Sequence, residues 1–305
     1  MSESAADSLS GQVVLDSAVT LAQINPQGAC LDRLRCNGVE LIQPFDSRGP
    51  RPFSAGVTLA PWPNRVRDGK WTLGQEERQL DITEPARNNA IHGLVTDKDF
   101  EVTEQSDTSV TLSTTVDGEA GYPYSLGVVV HYSISEHGID CEISISNTGN
   151  SAAPVAIGAH PYLTLGDIPV RSLLVSAPVE SHLVVDDQMI PTGEEPVEGT
   201  EFDIRNPTPL RDLELDTGFR LAGTGPFETH LDAADGRRVT LWQSAECGWL
   251  QLFVTDEFPG PDGPTSAFAV EPMTAPADAL NSGTDLTWLE PQDTFSAQWG
   301  IRLQS

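Results

Sequence analysis

The sequence is dominated by short segments in which apolar and polar residues alternate with a period of two, separated by turn-forming residues. Because successive side chains of a β-strand point to opposite faces of a sheet, this period predicts half-buried strands. The clearest segments are 78–83, 100–103, 109–116, 126–134, 139–146 and 239–243. Helical periodicity is confined to a turn or two around 276–281. The pattern predicts an all-β protein with very little helix, built as a large antiparallel β-sandwich.

The connections between strands can also be read from the sequence. Asp68-Gly69 and His137-Gly138 each separate two strand-like segments, and such pairs favour hairpin turns. The stretch 179–216 is rich in Pro, Gly, Glu and Asp, so we expect loops there that cover one end of the sandwich. A length of 305 residues suits one large β domain. We expect a flexible N-terminus at 1–10 and a single domain at 11–305.

The charge of the chain excludes two classes of partner. A net charge of −28 argues against nucleic acid and against anionic membrane surfaces, which both require lysine and arginine. The four cysteines have no zinc-site spacing, and no metal or other cofactor is expected. With no secretion signal or apolar run of membrane-spanning length, we expect a cytoplasmic protein, as a monomer or homodimer.

Two segments far apart in the chain share one form, which is a short apolar run followed by an ionisable residue and a proline. The first ends in His160-Pro161 and the second in Glu271-Pro272. Because proline cannot donate to a sheet ladder, we expect both side chains where a strand leaves its sheet. Burial would raise the pKa of the carboxyl group towards that of a general base, with the histidine as its acid partner. A nearby carboxylate such as Glu271 should in turn raise the pKa of His160. Either motif alone is more often structural or solvated.

Two further segments carry candidate binding residues. Asn64-Arg65 follows a proline-rich turn, and the planar guanidinium of arginine suits sugar hydroxyls or carboxylates. His92 precedes a glycine that permits close approach of the backbone. Taken singly, a surface ion pair and a turn histidine are equally acceptable interpretations.

Taken together, these motifs resemble the aldose 1-epimerase, or galactose mutarotase, family. The matching segments, in family order and rough spacing, are Asn64-Arg65, His92-Gly93, His160-Pro161-Tyr162, 215–219 and Glu271-Pro272. The resemblance spans nearly the whole chain and implies the family's β-supersandwich, with a monosaccharide in a cleft on a concave face. It implies Glu271 as catalytic base and His160 as catalytic acid. The substrate-binding residues that it implies are Arg65, His92, Asp216, Asn64 and Tyr162, with Asp212 and Glu214 as alternatives to Asp216.

The implied reaction interconverts the α and β anomers of a free aldohexose such as galactose or glucose, without metal, nucleotide or covalent intermediate. Leu163, Thr164 and Met273 depart from residues common in the family, which leaves the preferred sugar open.

Other functions remain open at this point. One alternative is a hexose-6-phosphate 1-epimerase, for which Arg67, Arg87 and Lys98 are candidate phosphate ligands. Another is a sugar-binding or regulatory protein of the same fold without turnover. A glycosidase would use Asp216 and Glu271 as its two carboxylates, but the His160 and Glu271 pattern disfavours it. No His-x-His motif supports a cupin-type metal site.

Overall fold

The computed structural model describes residues 11–46, 49–260 and 263–304. The segment 1–10, predicted to be flexible, lies outside the described residues, and the assignment of 11–305 to one domain stays a prediction. Strands make up 56% of the chain and helices 6%, which confirms the all-β prediction.

The described strands are numbered in chain order. The first fourteen are β1 (Val13–Asp16), β2 (Thr20–Asn25), β3 (Cys30–Cys36), β4 (Val39–Glu40), β5 (Thr58–Leu59), β6 (Arg65–Val66), β7 (Lys70–Leu73), β8 (Glu76–Gln79), β9 (Ala90–Ile91), β10 (Glu101–Gln105), β11 (Ser109–Glu119), β12 (Tyr122–Ser135), β13 (Gly138–Asn147) and β14 (Ala153–Val155). The others are β15 (Gly158–Ala159), β16 (Tyr162–Leu163), β17 (Leu174–Ser176), β18 (Val179–Val185), β19 (Pro191–Pro196), β20 (Thr208–Pro209), β21 (Asp216–Leu221), β22 (Phe227–Asp232), β23 (Arg238–Gln243), β24 (Trp249–Gly260), β25 (Gly263–Met273), β26 (Thr287–Leu289) and β27 (Thr294–Gln304).

Helical structure in the described residues is limited to single turns. The short α-helix α1 (Ala279–Ser282) falls within the helical turn predicted at 276–281. The 3-10 turns are Pro52–Ser54, Arg67–Gly69, Val170–Ser172 and Leu210–Asp212. Within the described ranges, none of the helices has the length and apolar character needed to cross a membrane.

Two large antiparallel sheets form the body of the fold. One has the order β10-β11-β12-β13-β27-β23-β22-β17-β20, and the other β19-β18-β21-β24-β25-β15-β5, with β16 also paired to β25. A single buried cluster contains Val110 and Val128 of the first sheet together with Phe219 and Leu252 of the second. Because apolar side chains of both sheets share one core, the sandwich prediction is confirmed.

Of the two predicted hairpins, the one at His137-Gly138 is confirmed. β12 and β13 are antiparallel neighbours, and Ser135 pairs with Gly138 across the turn.

The hairpin predicted at Asp68-Gly69 is wrong. Val66 pairs with Ala90 of β9, whereas Lys70 pairs with β8. Both turn residues have the positive φ that this dipeptide prefers, 53° at Asp68 and 61° at Gly69. The local conformation therefore follows the dipeptide, but it connects two different sheets, because the partners of the flanking strands come from elsewhere in the chain.

We expected loops in the stretch 179–216, but part of it is strand. Its first part forms β18 and β19, which pair at the edge of the second large sheet. Proline is tolerated at Pro191 and Pro196 because an edge strand needs ladder partners on one side only.

Candidate functional site

All seven residues predicted to act in the site line one pocket of about 400 Å³. They are Asn64, Arg65, His92, His160, Tyr162, Asp216 and Glu271. The other lining residues are Phe53, Ser54, Thr83, Glu84, Arg87, Ile91, Gln251 and Phe253. The structure thus brings together residues more than 200 positions apart in the sequence.

Glu271 lies within β25, in register with Gln251 of β24. Our prediction that it sits where a strand leaves its sheet is wrong, because the strand continues through Pro272. The backbone N–H groups of Val270 and Thr274 donate towards the β15–β16 side of the strand. Because alternate residues of a strand direct their backbone nitrogens to the same side, the nitrogen of Pro272 also points there. It lies at the break between β15 and β16, so the missing N–H of proline costs no hydrogen bond of the sheet.

His160 follows β15 directly, as predicted, and its side chain meets Glu271. His160 Nε2 lies 3.4 Å from Glu271 Oε1, and the two residues are only 5% and 2% exposed. Glu271 Oε2 has no hydrogen-bond partner among the described residues. A buried carboxyl oxygen without a partner is costly, so this oxygen is available to a polar ligand in the pocket.

Burial governs the protonation of this pair. It raises the pKa of Glu271 well above its usual value, helped by the charge of Asp216 and opposed by Arg65. Burial also lowers the pKa of His160 to about 3, and the charge of Arg65 adds to this effect. We had expected Glu271 to raise the pKa of His160, and this is wrong because desolvation of the imidazolium outweighs the attraction. Desolvation therefore favours the uncharged form of both side chains.

His92 is held as a neutral hydrogen-bond donor beside His160. The backbone N–H of Asn64 donates to His92 Nδ1 at 3.3 Å, so the neutral ring carries its proton on Nε2. Burial, with the neighbouring His160 and Arg65, lowers the pKa of His92 well below its usual value. The following Gly93 has a φ of 79°, and a Cβ there would lie 2.1 Å from the carbonyl oxygen of Ala60.

His92, His160 and Glu271 also have the composition of a metal site, with one ligand atom from each within 4.8 Å of the others. The tautomer of His92 does not fit that role, because the ring nitrogen that accepts from Asn64 is occupied and the other carries a proton. The three groups match an oxygen-rich ligand better, since together they offer donors and an acceptor. The absence of a metal requirement stays a prediction.

Arg65 is fixed by a two-point ion pair that the sequence did not reveal. Its Nε and Nη2 atoms donate to Glu84 at 3.0 and 3.1 Å, and Nη2 also lies 3.5 Å from Asp216 Oδ2. Glu84 in turn accepts from Arg87 and Asn89, at 3.1 and 2.9 Å. This network holds the guanidinium in one orientation on the pocket wall.

Asp216 is the acidic residue of its segment that reaches the pocket. Gln251 Nε2 donates to its Oδ1 at 2.7 Å. The alternatives point elsewhere, since the side chain of Glu214 is 86% exposed beside Arg171 and that of Asp212 is 61% exposed.

Tyr162 and Asn64 line the pocket, but a side-chain oxygen of each already has a protein partner. The hydroxyl of Tyr162 donates to the carbonyl oxygen of Phe53 at 3.2 Å, and its ring stacks on His160 at 5.2 Å. Asn64 Oδ1 accepts from the backbone N–H of Arg65. Their part in substrate binding stays a prediction.

The polar residues of the pocket that sequence reasoning missed include Glu84 and Gln251, which contact the predicted residues Arg65 and Asp216. Glu84 precedes a proline, as His160 and Glu271 do. That signal is not specific, because Glu195 and Glu290 also precede prolines and neither lines the pocket. No motif around Gln251 in the sequence indicates a role in the site. Only its position opposite Glu271 on the neighbouring strand does so.

Fold and pocket together define a β-sandwich protein whose pocket contains a buried imidazole–carboxyl pair. The family model for aldose 1-epimerase matches residues 11–302, so the chain belongs to the aldose 1-epimerase family. This confirms the resemblance, and the family implies a carbohydrate epimerase that binds a sugar.

Individual relatives agree with the family assignment. The chain is 32% identical over 298 residues to the uncharacterized protein YihR of Escherichia coli (strain K12), covering 96% of this chain and 94% of YihR. It is 29% identical over 251 residues to galactose mutarotase of Pongo abelii, covering 74% and 71%. The crystal structure of the GalM/aldose epimerase homologue from C. elegans superimposes with a TM-score of 0.84 at 18% identity, covering 96% and 98%, which shows the shared fold.

Proposed function

We propose that this protein is an aldose 1-epimerase that interconverts the α and β anomers of a free aldohexose such as galactose or glucose. The observation that carries the proposal is the buried His160–Glu271 pair, with 3.4 Å between Nε2 and Oε1, in a pocket also lined by Arg65, His92 and Asp216. The conversion needs one proton removed and one supplied within a single small site, which such a pair can do.

In the proposed mechanism Glu271 is the base and His160 is the acid. Glu271 takes the proton of the C1 hydroxyl while His160 gives a proton to the ring oxygen, and the C1–O5 bond breaks to leave an open-chain aldehyde. Rotation about C1–C2 presents the other face of the aldehyde. Closure reverses both proton transfers, so the enzyme ends with the proton count with which it began.

The active arrangement, with Glu271 ionised and His160 protonated, requires the single proton of the pair to lie on the histidine. It differs from the arrangement in which both side chains are uncharged by transfer of one proton from Oε1 to Nε2, across 3.4 Å. The charge of Arg65 favours the ionised form of Glu271. Arg65, His92 and Asp216 have donors and acceptors suited to orienting the hydroxyls of the sugar.

The proposal is tested by following the optical rotation of freshly dissolved α-glucose and α-galactose, with and without protein. We expect mutarotation faster than in buffer, and the same rate with added chelator. If no aldohexose shows acceleration, the proposed enzymatic function is wrong. The alternative of a sugar-binding protein of this fold without turnover would then remain. Acceleration that chelator abolishes would contradict the cofactor-free mechanism.

A 6-phosphate substrate is supported by one observation, which is that Arg87 lines the pocket. The other two candidate phosphate ligands are engaged elsewhere, Arg67 with Asp186 and Lys98 with Glu119, each at 2.6 Å. Comparing glucose with glucose 6-phosphate, for the unchanged protein and Arg87→Ala, separates the two substrates. If Arg87→Ala lowers the activity with glucose 6-phosphate and not with glucose, the hexose-6-phosphate 1-epimerase function is favoured.

We predict that Arg65→Ala weakens sugar binding. Removing one partner of a buried charge-assisted hydrogen bond costs about 1.5–3 kcal/mol, so KM should rise roughly 10- to 150-fold. Glu84→Gln should raise KM by a smaller factor, because the guanidinium stays but loses its fixed orientation. The measurement is the separate effect on KM and kcat, with the exposed Glu77→Gln as control. A fall in kcat with KM unchanged would contradict a binding role.

A further inference from the structure

The wall of the pocket is built from two separate parts of the fold. Asp216 and Glu271 stand on β21 and β25 of the second large sheet, whereas Arg65 belongs to a two-stranded sheet that β6 and β9 form. Glu84 and Arg87 line the pocket from the segment that leads into β9. A sugar that contacts both parts binds most tightly when the protein already holds them in place. The contacts that join the two parts therefore affect binding.

Gln188 joins these two parts from outside the pocket. It lies in the turn of the β18–β19 hairpin, at the edge of the second large sheet. Its Oε1 accepts from Arg67 Nη1 at 2.8 Å, and its Nε2 donates to Asp68 Oδ1 at 3.0 Å. Nε2 also donates to the carbonyl oxygen of Arg87 at 3.1 Å, and the carbonyl oxygen of Gln188 accepts from Asn89 Nδ2 at 2.9 Å. These partners lie directly after β6 and just before β9, so Gln188 holds both strands of the small sheet.

The turn that presents Gln188 is itself fixed by Asp186. One carboxylate oxygen of Asp186 accepts from the backbone N–H groups of Gln188 and Ile190, at 3.0 and 3.1 Å. The other oxygen forms an ion pair with Arg67 Nη2 at 2.6 Å. Ile190, at the end of the turn, is buried. The amide of Gln188 is therefore held in one position and does not have to be ordered when a ligand binds.

The hydrogen bonds of Gln188 lead to pocket residues. Asn89 is fully buried, and its Nδ2 donates both to Gln188 and to Glu84 Oε2, at 2.9 Å each. Glu84 is the residue that fixes the guanidinium of Arg65. The bond to the carbonyl oxygen of Arg87 fixes the backbone of a second pocket residue. Gln188 itself does not line the pocket, so its influence on a ligand passes through these neighbours.

We propose that Gln188 is a positioning residue for the sugar site. It fastens the two-stranded sheet that carries Arg65 to the second large sheet, and so sets the affinity for the sugar without touching it. An amide suits this task, because it offers an acceptor to Arg67 together with donors to Asp68 and Arg87. The inference rests on the proposed function, since it concerns how the same site holds its substrate.

The test is Gln188→Glu, which keeps the size of the side chain and the acceptor for Arg67. It replaces the donating nitrogen by an oxygen that faces Asp68 and the carbonyl oxygen of Arg87. We expect KM for glucose and galactose to rise about 3- to 10-fold, the effect of one or two lost hydrogen bonds, with kcat unchanged. A side chain that only fills space would leave KM unchanged in this variant. Gln188→Ala should raise KM by a smaller factor, because it adds no repulsion.

The matched control is Gln298→Ala. Gln298 is an exposed glutamine of the first large sheet that also donates a side-chain hydrogen bond, to Glu142. It does not line the pocket, so its removal should change neither KM nor kcat.

A double-mutant cycle with Glu84→Ala tests the route of the effect. If Gln188 acts through Glu84, Gln188→Glu should raise KM by a smaller factor in the Glu84→Ala background than in the unchanged protein. Equal factors in the two backgrounds, or a KM unaffected by Gln188→Glu alone, would overturn the positioning role and leave hexose mutarotation standing.

If no sugar is turned over, the proposed function fails, and the positioning role is decided on Arg65 itself. The Nε–H proton of Arg65, which is donated to Glu84, is observed by NMR and assigned by its loss in Arg65→Lys. We expect this proton to exchange with water faster in Gln188→Glu than in the unchanged protein and in Gln298→Ala. Equal exchange in all three would show that Gln188 does not hold the guanidinium in place.

Discussion

Replacing Glu271 by glutamine is expected to lower the mutarotation rate by about 10²–10⁴-fold, the contribution of a positioned acid–base group. Glutamine keeps the shape of the side chain in β25 and the register with Gln251, but it cannot take a proton from the C1 hydroxyl. Sugar binding should persist, because the side chains of Arg65, His92 and Asp216 are unchanged. The rate is measured by polarimetry at saturating sugar, and binding by calorimetry.

The matched control is Glu257→Gln, an exposed position on the neighbouring strand β24, which should retain the full rate. If Glu271→Gln kept more than about a tenth of the original turnover, a loss far below that of a general base, Glu271 would not be the base.

The same substitution should change how stability depends on pH, which checks that the variant is folded. The pKa of Glu271 is raised in the folded state, so its contribution to stability is complete below the unfolded pKa and lost as pH rises through the folded one. Each unit of that shift is worth about 1.4 kcal/mol. The difference in Tm between Glu271→Gln and the unchanged protein should therefore move in favour of the variant as pH rises.

The fold was predictable from the sequence where strands show their own pattern. β11, β12, β13 and β23 each cover a predicted segment, because alternating burial on a half-buried sheet follows directly from side-chain chemistry. The turn at Asp68-Gly69 was misread because a dipeptide specifies φ and not the strands that it joins. β19 was missed because an edge strand tolerates proline and glycine, the residues that otherwise indicate loops. β18 contains neither residue and was missed because the composition of the whole stretch was taken to indicate loops.

The residues of the candidate site could be predicted where they belong to motifs that occur in the order and spacing of the family. The resemblance gave Asp216 with Asp212 and Glu214 as alternatives, and the pocket contains Asp216. Glu84 was out of reach, because its significance comes from the orientation of Arg65, which only the folded chain defines. The direction of the pKa shift at His160 was predicted wrongly for the same reason. The depth of burial decides whether desolvation of the imidazolium or its attraction to a carboxylate dominates.

Replacing His160 by asparagine is expected to reduce turnover to a similar extent, about 10²–10⁴-fold, because the ring oxygen would lose its proton donor. A loss of this size would also follow if the ring merely supported its neighbours, for it stacks on Tyr162 and lies edge-on to His92. The pH profile separates the two roles.

In the unchanged protein, turnover requires a pair with one proton, so the profile should be bell-shaped. On the acid side, the rate falls as the pair takes up a second proton, at the lowered pKa of about 3 of His160. On the alkaline side, the rate falls as the pair loses its only proton, at the raised pKa of Glu271. In His160→Asn only Glu271 titrates, and it must be ionised. The residual rate should then rise with pH to a plateau, without an alkaline fall. A bell retained in His160→Asn would show that another group supplies the proton, and His160 would not be the acid.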